Sequence, residues 1–209
     1  SLNGHSFRAE GSVPKSWSYF DGRYVKSVLK KYGTIKKIKS FPLMSLTQFI
    51  YYSVFKRIRD VRVFDYIDYD KADAKKLIAK ELKWEDYGGH HHENIFTRFF
   101  QSYYLPTKFG IDKRKVEYSA LIRSEQMTRE DAQTDLSDPY PFKQEDVDFV
   151  IKKLGFSEKE WNEIMTAARK TFKDFPSYYS IIKKMKVPLK LAANMNLIPK
   201  ILYEKYAKM

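Results

Sequence analysis

The apolar positions after Pro42 recur at helical spacing. Leu46, Phe49, Ile50, Val54 and Ile58 share one face of a helix predicted over 45–60. Its far end carries Lys56, Arg57, Arg59 and Arg62, where a helix C-terminus favours cations; the same cluster also suits a membrane surface or a docking subunit. Asp70 is placed to cap a second helix, with Ala74, Leu77, Ile78 and Leu82 inward. Gly88-Gly89 breaks the chain. A third helix follows, with Phe96, Phe99, Phe100 and Tyr103 on one face and Pro106 as its predicted end. Another covers about 112–123. Thr128 with Asp131, and Ser157 with Glu160, have the spacing of capping boxes. The helix over 157–168 is predicted to bury Trp161, Ile164, Met165 and Ala168, and Pro139 and Pro141 mark a loop before it. The stretch 177–209 reads as two or three short helices broken by Pro188 and Pro199.

Residues 1–45 look different. Gly4, Gly11, Pro14, Gly22, Gly33 and Pro42 punctuate short aromatic and β-branched pieces, so loop, short strand and turn are predicted, with one helix near Tyr24–Tyr32. The pattern reads as the tail end of a domain beginning upstream (1–45), then a helical domain (46–209). The fold class is therefore mainly α, with a short irregular or mixed N-terminal segment. No internal repeat is visible.

Composition narrows the chemistry. With 209 residues, 43% hydrophobic and 31% charged, the chain can bury a real core. Cysteine is absent, which excludes disulfides, thiolate zinc sites and thiol catalysis within this sequence. No apolar run reaches the roughly 20 residues needed to cross a bilayer, and a cytoplasmic location is expected. The net charge of +13 suits an anionic partner, or equally a chain that docks on an acidic subunit. Nucleic acid is not the expected partner, because no recognition motif accompanies the charge.

Three segments concentrate candidate chemistry. His5-Ser6-Phe7-Arg8-Ala9-Glu10-Gly11 packs an imidazole, a guanidinium and a carboxylate beside glycines. Gly88-Gly89-His90-His91-His92-Glu93 leads into a helix bearing Arg98. Adjacent histidines lack the spacing of a zinc motif, so no metal is expected; a glycine turn feeding a helix N-terminus is instead a plausible anion pocket. The run from Lys108 to Arg129 places Lys113 opposite Glu117 and Ser119 opposite Arg123 on one helix. It is either a salt-bridged surface or a row of cations for a nucleotide or sugar diphosphate.

Taken together, "NGHSFRAEGSVPKSWSYFDGRY", "WEDYGGHHHENIFTRFFQSYYLPTKFGIDKRKVEYSALIRSEQMTRE" and "KTFKDFPSYYSIIKK" resemble the N-acetyl sugar amidotransferase family of lipopolysaccharide and surface-sugar biosynthesis. Members belong to the PP-loop ATP pyrophosphatase group. The resemblance implies that ATP, with Mg2+, activates a sugar acetamido oxygen and that ammonia displaces AMP to leave an acetamidino group. The ammonia comes from a glutaminase through a barrel subunit, both similar to the halves of imidazole glycerol phosphate synthase. The family's Ser-Gly-Gly-x-Asp-Ser phosphate loop and its N-terminal cysteines are not in this sequence. The resemblance therefore implies the helical C-terminal half of an α/β enzyme, with residues 1–45 as the tail of its nucleotide-binding domain and linker. Such a fragment is not expected to bind or turn over ATP by itself.

The same resemblance implies roles. Lys108, Asp112, Lys113 and Arg114 are the expected phosphate-contacting and catalytic positions, with Lys113 foremost. His5, Arg8, Glu10, Gly88, Gly89, His90, His91, Glu93 and Arg98 would face substrate, and Glu117, Arg123 and Gln126 would support them. The expected partners are a nucleotide-linked N-acetyl sugar and the two ammonia-supplying subunits, with peripheral membrane contact and self-association as further expectations. The alternative function is a basic helical docking module for those subunits or for an anionic membrane. Two positions depart from the family: Ala9 stands where Thr is usual, and Glu125 where Gly is usual, in "SGQMTR".

Overall fold

The computed structural model describes residues 1–14, 17, 19, 21–35, 38–198 and 203. Ten α-helices form among the described residues: α1 (Gly22–Tyr32), α2 (Leu46–Ile50), α3 (Lys71–Leu82), α4 (Ile95–Phe99), α5 (Arg114–Arg123), α6 (Arg129–Ser137), α7 (Gln144–Leu154), α8 (Glu158–Thr166), α9 (Tyr179–Lys184) and α10 (Lys186–Asn194). Two strands, β1 (Leu2–Asn3) and β2 (Val61–Arg62), pair as a small sheet. The chain is mainly helical, as its periodicity predicts. It folds as two compact units. A terminal unit holds Ser1, Pro14–Val61 and Lys170–Met209, and a central unit holds Leu2–Val13 and Arg62–Arg169.

In the terminal unit, Asp21 organises the start of α1. Its carboxylate accepts hydrogen bonds from the Tyr24 and Tyr178 amides, each at 2.7 Å, and from the Tyr19 hydroxyl at 2.8 Å. Tyr19 and Phe172 are buried and pack against Tyr179. Ser45 and Gln48 complete a capping box on α2. The helix predicted over 45–60 stops earlier: α2 widens into a π-helical turn, Tyr51–Phe55, and Arg57 closes it in the left-handed region at φ 50°. Ile58 therefore leaves the helix and is exposed. Pro188 does not break α10 either. It occupies the first turn, where the missing N–H costs no intrahelical bond, and the chain bends at Met185 instead. Pro199 lies outside the described residues.

The central unit is built on aromatic packing. Phe99, Val147, Val150 and Trp161 form the buried core, with Tyr103, Tyr104, Ile151, Ile164 and Met165 half-buried around them. Burying Phe99 alone contributes about 1.5–3 kcal/mol. α7 supplies two of the four core residues and has no counterpart among the predicted elements. Its signal is nonetheless present as Val147, Val150 and Ile151 at spacing three and four, with Gly155 beyond the end.

Three sequence expectations need correction here. Pro106 does not end its helix, because α4 runs into a π-helical stretch, Phe100–Phe109, that contains the proline. The helix ends where Gly110 takes the left-handed conformation, φ 67°, that its missing Cβ permits. Leu77 and Leu82 of α3 are exposed, and the inward face is Lys71, Ala74, Lys75 and Ile78. Ala168 lies beyond α8 and is exposed, while Trp161, Ile164 and Met165 pack as predicted. The caps at Asp70, Thr128 and Ser157 all form.

Candidate functional site

The segment 5–11 is anchored against α5. Ser6 and Ala9 are buried. The Glu10 amide donates to the Ser6 carbonyl at 2.9 Å, and the Ser124 hydroxyl donates to the Arg8 carbonyl at 2.6 Å. Gly11 has φ 67°, and a Cβ there would lie 2.6 Å from the Val116 carbonyl oxygen, so no other residue permits this approach. The anchoring leaves His5 and Glu10 half-buried, with the His5 Nδ1 against the Glu10 carboxylate.

Glu117, on α5, is the centre of a polar cluster. Its carboxylate pairs with the Lys71 ammonium at the start of α3. Gln126 ties the two elements together: its Nε2 donates to the Tyr69 carbonyl and its Oε1 accepts from the Lys71 amide, each at 2.9 Å. His90, in the Gly88-Gly89 turn, feels Glu10, Glu117 and Lys71 electrostatically. Burial, and then neighbouring His91, hold it below the ordinary histidine pKa of 6.5, so it is neutral at pH 7. Tyr140 is within reach of the Glu117 charge too, and burial pushes its hydroxyl up to about 12.

Lys113 stands at the N-terminus of α5, half-buried, and makes no ion pair among the described residues. Burial lowers its pKa from the usual lysine value, against the opposing pull of Glu117. A partly desolvated ammonium without a bound carboxylate has charge available for an anionic ligand.

Other cations are committed to the fold. Arg98 grips Asp146 with Nε at 2.6 Å and a terminal nitrogen at 2.7 Å, locking α4 to α7. Arg114 is buried and pairs with Asp112 at 2.8 Å and Asp135 at 3.2 Å. It also donates to the Asp135 and Asp138 carbonyls and lies over the Tyr140 ring. Lys108 is buried and donates to the Ile164 carbonyl. These partners hold Lys108, Asp112, Arg114 and Arg98 in structural links, in contrast to Lys113.

The remaining predicted positions are peripheral. Arg8 forms a surface bridge with Asp68 at 2.7 Å. Arg123 donates to the Ser119 hydroxyl at 2.5 Å, as the helical spacing predicts. His91 is exposed, has φ 61°, and faces exposed Glu93 at 3.3 Å. Gly88 and Gly89 form the turn that presents His90.

The structure thus brings together His5, Glu10, His90, Lys113, Glu117 and Gln126, and adds residues that sequence reasoning missed. Lys71 is the principal one; its only sequence signal is its place just after the capping Asp70. Buried His92, 3.2 Å from the Tyr140 hydroxyl, supports the turn from below. Among the described residues no three histidine or acidic side chains converge as metal ligands. No helix among the described residues is long and apolar enough to cross a membrane.

Residues 93–186 match the family model described as LPS biosynthesis protein WbpG-like, C-terminal domain. The match runs from Glu93 through most of the central unit and into the terminal one, just under half of the chain. It supports a lipopolysaccharide-biosynthesis family for this stretch. No curated protein and no solved structure matches the chain.

Proposed function

We propose that this chain is the helical C-terminal part of an ATP-dependent amidotransferase. The reaction converts the acetamido group of a nucleotide-linked N-acetyl sugar to acetamidino, within surface-polysaccharide biosynthesis. One observation carries the proposal: half-buried Lys113 makes no ion pair among the described residues, while Glu117 near it pairs with Lys71, and Glu10 and Glu117 lie within electrostatic reach of His90. The match of residues 93–186 to a lipopolysaccharide-biosynthesis domain supports the pathway. ATP activation and ammonia delivery belong, in this reading, to partners: a nucleotide-binding domain, a glutaminase and a barrel subunit.

The chain's own residues bind and orient the sugar nucleotide. Lys113 offers its charge to the phosphate of the sugar nucleotide, while Lys71 is partly neutralised by Glu117. His5 and Glu10 offer hydrogen bonds to sugar hydroxyls. Neutral His90 exposes one donor and one acceptor, depending on its tautomer, without adding charge. Gln126 fixes the distance between α3 and α5.

Calorimetric titration with UDP- and CMP-linked N-acetyl sugars, with ATP as comparator, tests this. Binding of one sugar nucleotide, absence of ATP binding, and loss of the sugar-nucleotide signal in Lys113→Ala are expected. Binding of ATP alone, or of no sugar nucleotide, contradicts the assignment of the sugar site to this unit.

A further inference from the structure

The chain's charge is divided unequally between its two units. The terminal unit contains 20 lysines and arginines against 4 acidic residues; the central unit contains 19 against 22. The positive excess of the whole protein therefore resides on the terminal unit. Few local carboxylates are there to neutralise it.

Apolar side chains are exposed among these cations. On α10 and its cap, Val187, Leu191 and Met195 recur every four residues and are 68%, 58% and 69% exposed. They make one outward stripe. Lys186 and Lys190 precede the first two members, and exposed Lys183 and Lys184 end α9. The other side of α10 is also apolar: Leu189, with Ile182 and Met185, lines a cavity of about 470 Å³ shared with Phe49 and Ile50 of α2. Just beyond α2, exposed Phe55 precedes Lys56 and Arg57, and exposed Ile58 lies between Arg57 and Arg59.

Cations alone fit any polyanion. A nucleic acid would leave the aliphatic stripe in water. An anionic phospholipid surface accounts for the cations and the stripe together. Its headgroups neutralise the lysines and its upper acyl region receives the stripe, while the cavity lies on the opposite side of α10. We propose that the terminal unit docks the protein peripherally on anionic phospholipid membranes through α10 and the segment following α2. This inference does not rest on the amidotransferase reading.

Co-sedimentation of the full chain with vesicles of pure phosphatidylcholine, and with vesicles containing phosphatidylglycerol, is the test. Binding only to the phosphatidylglycerol vesicles, weakened by salt, is expected. The triple variant Lys183→Gln, Lys186→Gln, Lys190→Gln should lower partitioning on the order of 100-fold, with unchanged thermal melting because all three side chains are exposed. Because the chain has no cysteine, Leu191→Cys can carry a single bimane label, whose emission should shift to the blue on binding. Equal binding to both vesicle types, no binding, an unaffected triple variant or an unshifted label would each overturn the proposal. Retention on duplex DNA without vesicle binding would reassign the surface to nucleic acid.

Discussion

Replacing Arg98 by Ala should destabilise the central unit severely while leaving the candidate site's own charges in place. Asp146 accepts two hydrogen bonds from Arg98, at 2.6 and 2.7 Å, and its side chain is only 9% exposed. The Arg98 hydrogen bonds hold the Asp146 carboxyl below the ordinary aspartate pKa. Removing the guanidinium leaves a buried carboxylate that must either stay charged in a poor solvent or take up a proton. Breaking such a pair costs about 3–5 kcal/mol. Arg98 is itself 23% exposed, so water can partly replace it, and about 3 kcal/mol is the appropriate figure. That corresponds to a fall in Tm of roughly 10 °C for a chain of this size. The double variant Arg98→Met, Asp146→Leu removes both charges and should recover most of the loss. Thermal melting by circular dichroism and urea titration provide the assay. A single variant within about 2 °C of wild type, or a double-mutant cycle with no coupling, would refute the assignment of Arg98 to the fold.

The other predictions concern backbone strain and pH. Glu125 is exposed yet left-handed at φ 60°, which disfavours residues with a Cβ, so Glu125→Gly should raise stability by about 0.5–1 kcal/mol after the entropy cost of glycine; a lower Tm would contradict this. His92 is buried, and burial, then Arg98, lower its pKa; His90 is lowered as well. The unfolded chain then binds protons more tightly, so stability is complete above about pH 6.5 and lost progressively as pH falls below it. Melting should therefore decline between pH 7.5 and 5, less steeply in His92→Gln; a Tm that rises on acidification would reverse the sign.

Helix beginnings were legible in the chain because a cap is a local device: Asp70, Thr128 and Ser157 each bond an amide three residues ahead. Helix ends were less so. The π-helical turns after Ile50 and Phe99, and the left-handed Arg57, depend on how the flanking residues pack, and Pro106 is accommodated only because that stretch is wide. Glu125 shows the opposite case: the glycine usual at that position in the family the sequence resembles corresponds to a backbone conformation that the structure displays directly.

The candidate segments could be marked in the sequence, but the division of labour among their cations could not. Arg98 finds Asp146 48 residues away, Lys108 finds the Ile164 carbonyl 56 away, and Lys71 finds Glu117 46 away. Spacing along one helix cannot reveal such partners. Lys113 and Glu117 share a helical face, yet the carboxylate's ion pair is with Lys71 from another element, which leaves Lys113 without one among the described residues.

The most direct test of the proposed function is the steady-state amidination kinetics of Lys113→Ala and Lys113→Arg, assayed with the chain joined to the nucleotide-binding domain and ammonia-supplying subunits that the proposal calls for. A fall in kcat/KM of about 100-fold or more is expected for Lys113→Ala, as for loss of one well-placed charge, with Tm unchanged and partial recovery in Lys113→Arg. Amidination kinetics unaltered by Lys113→Ala would show that this lysine takes no part in the reaction, and would contradict the account.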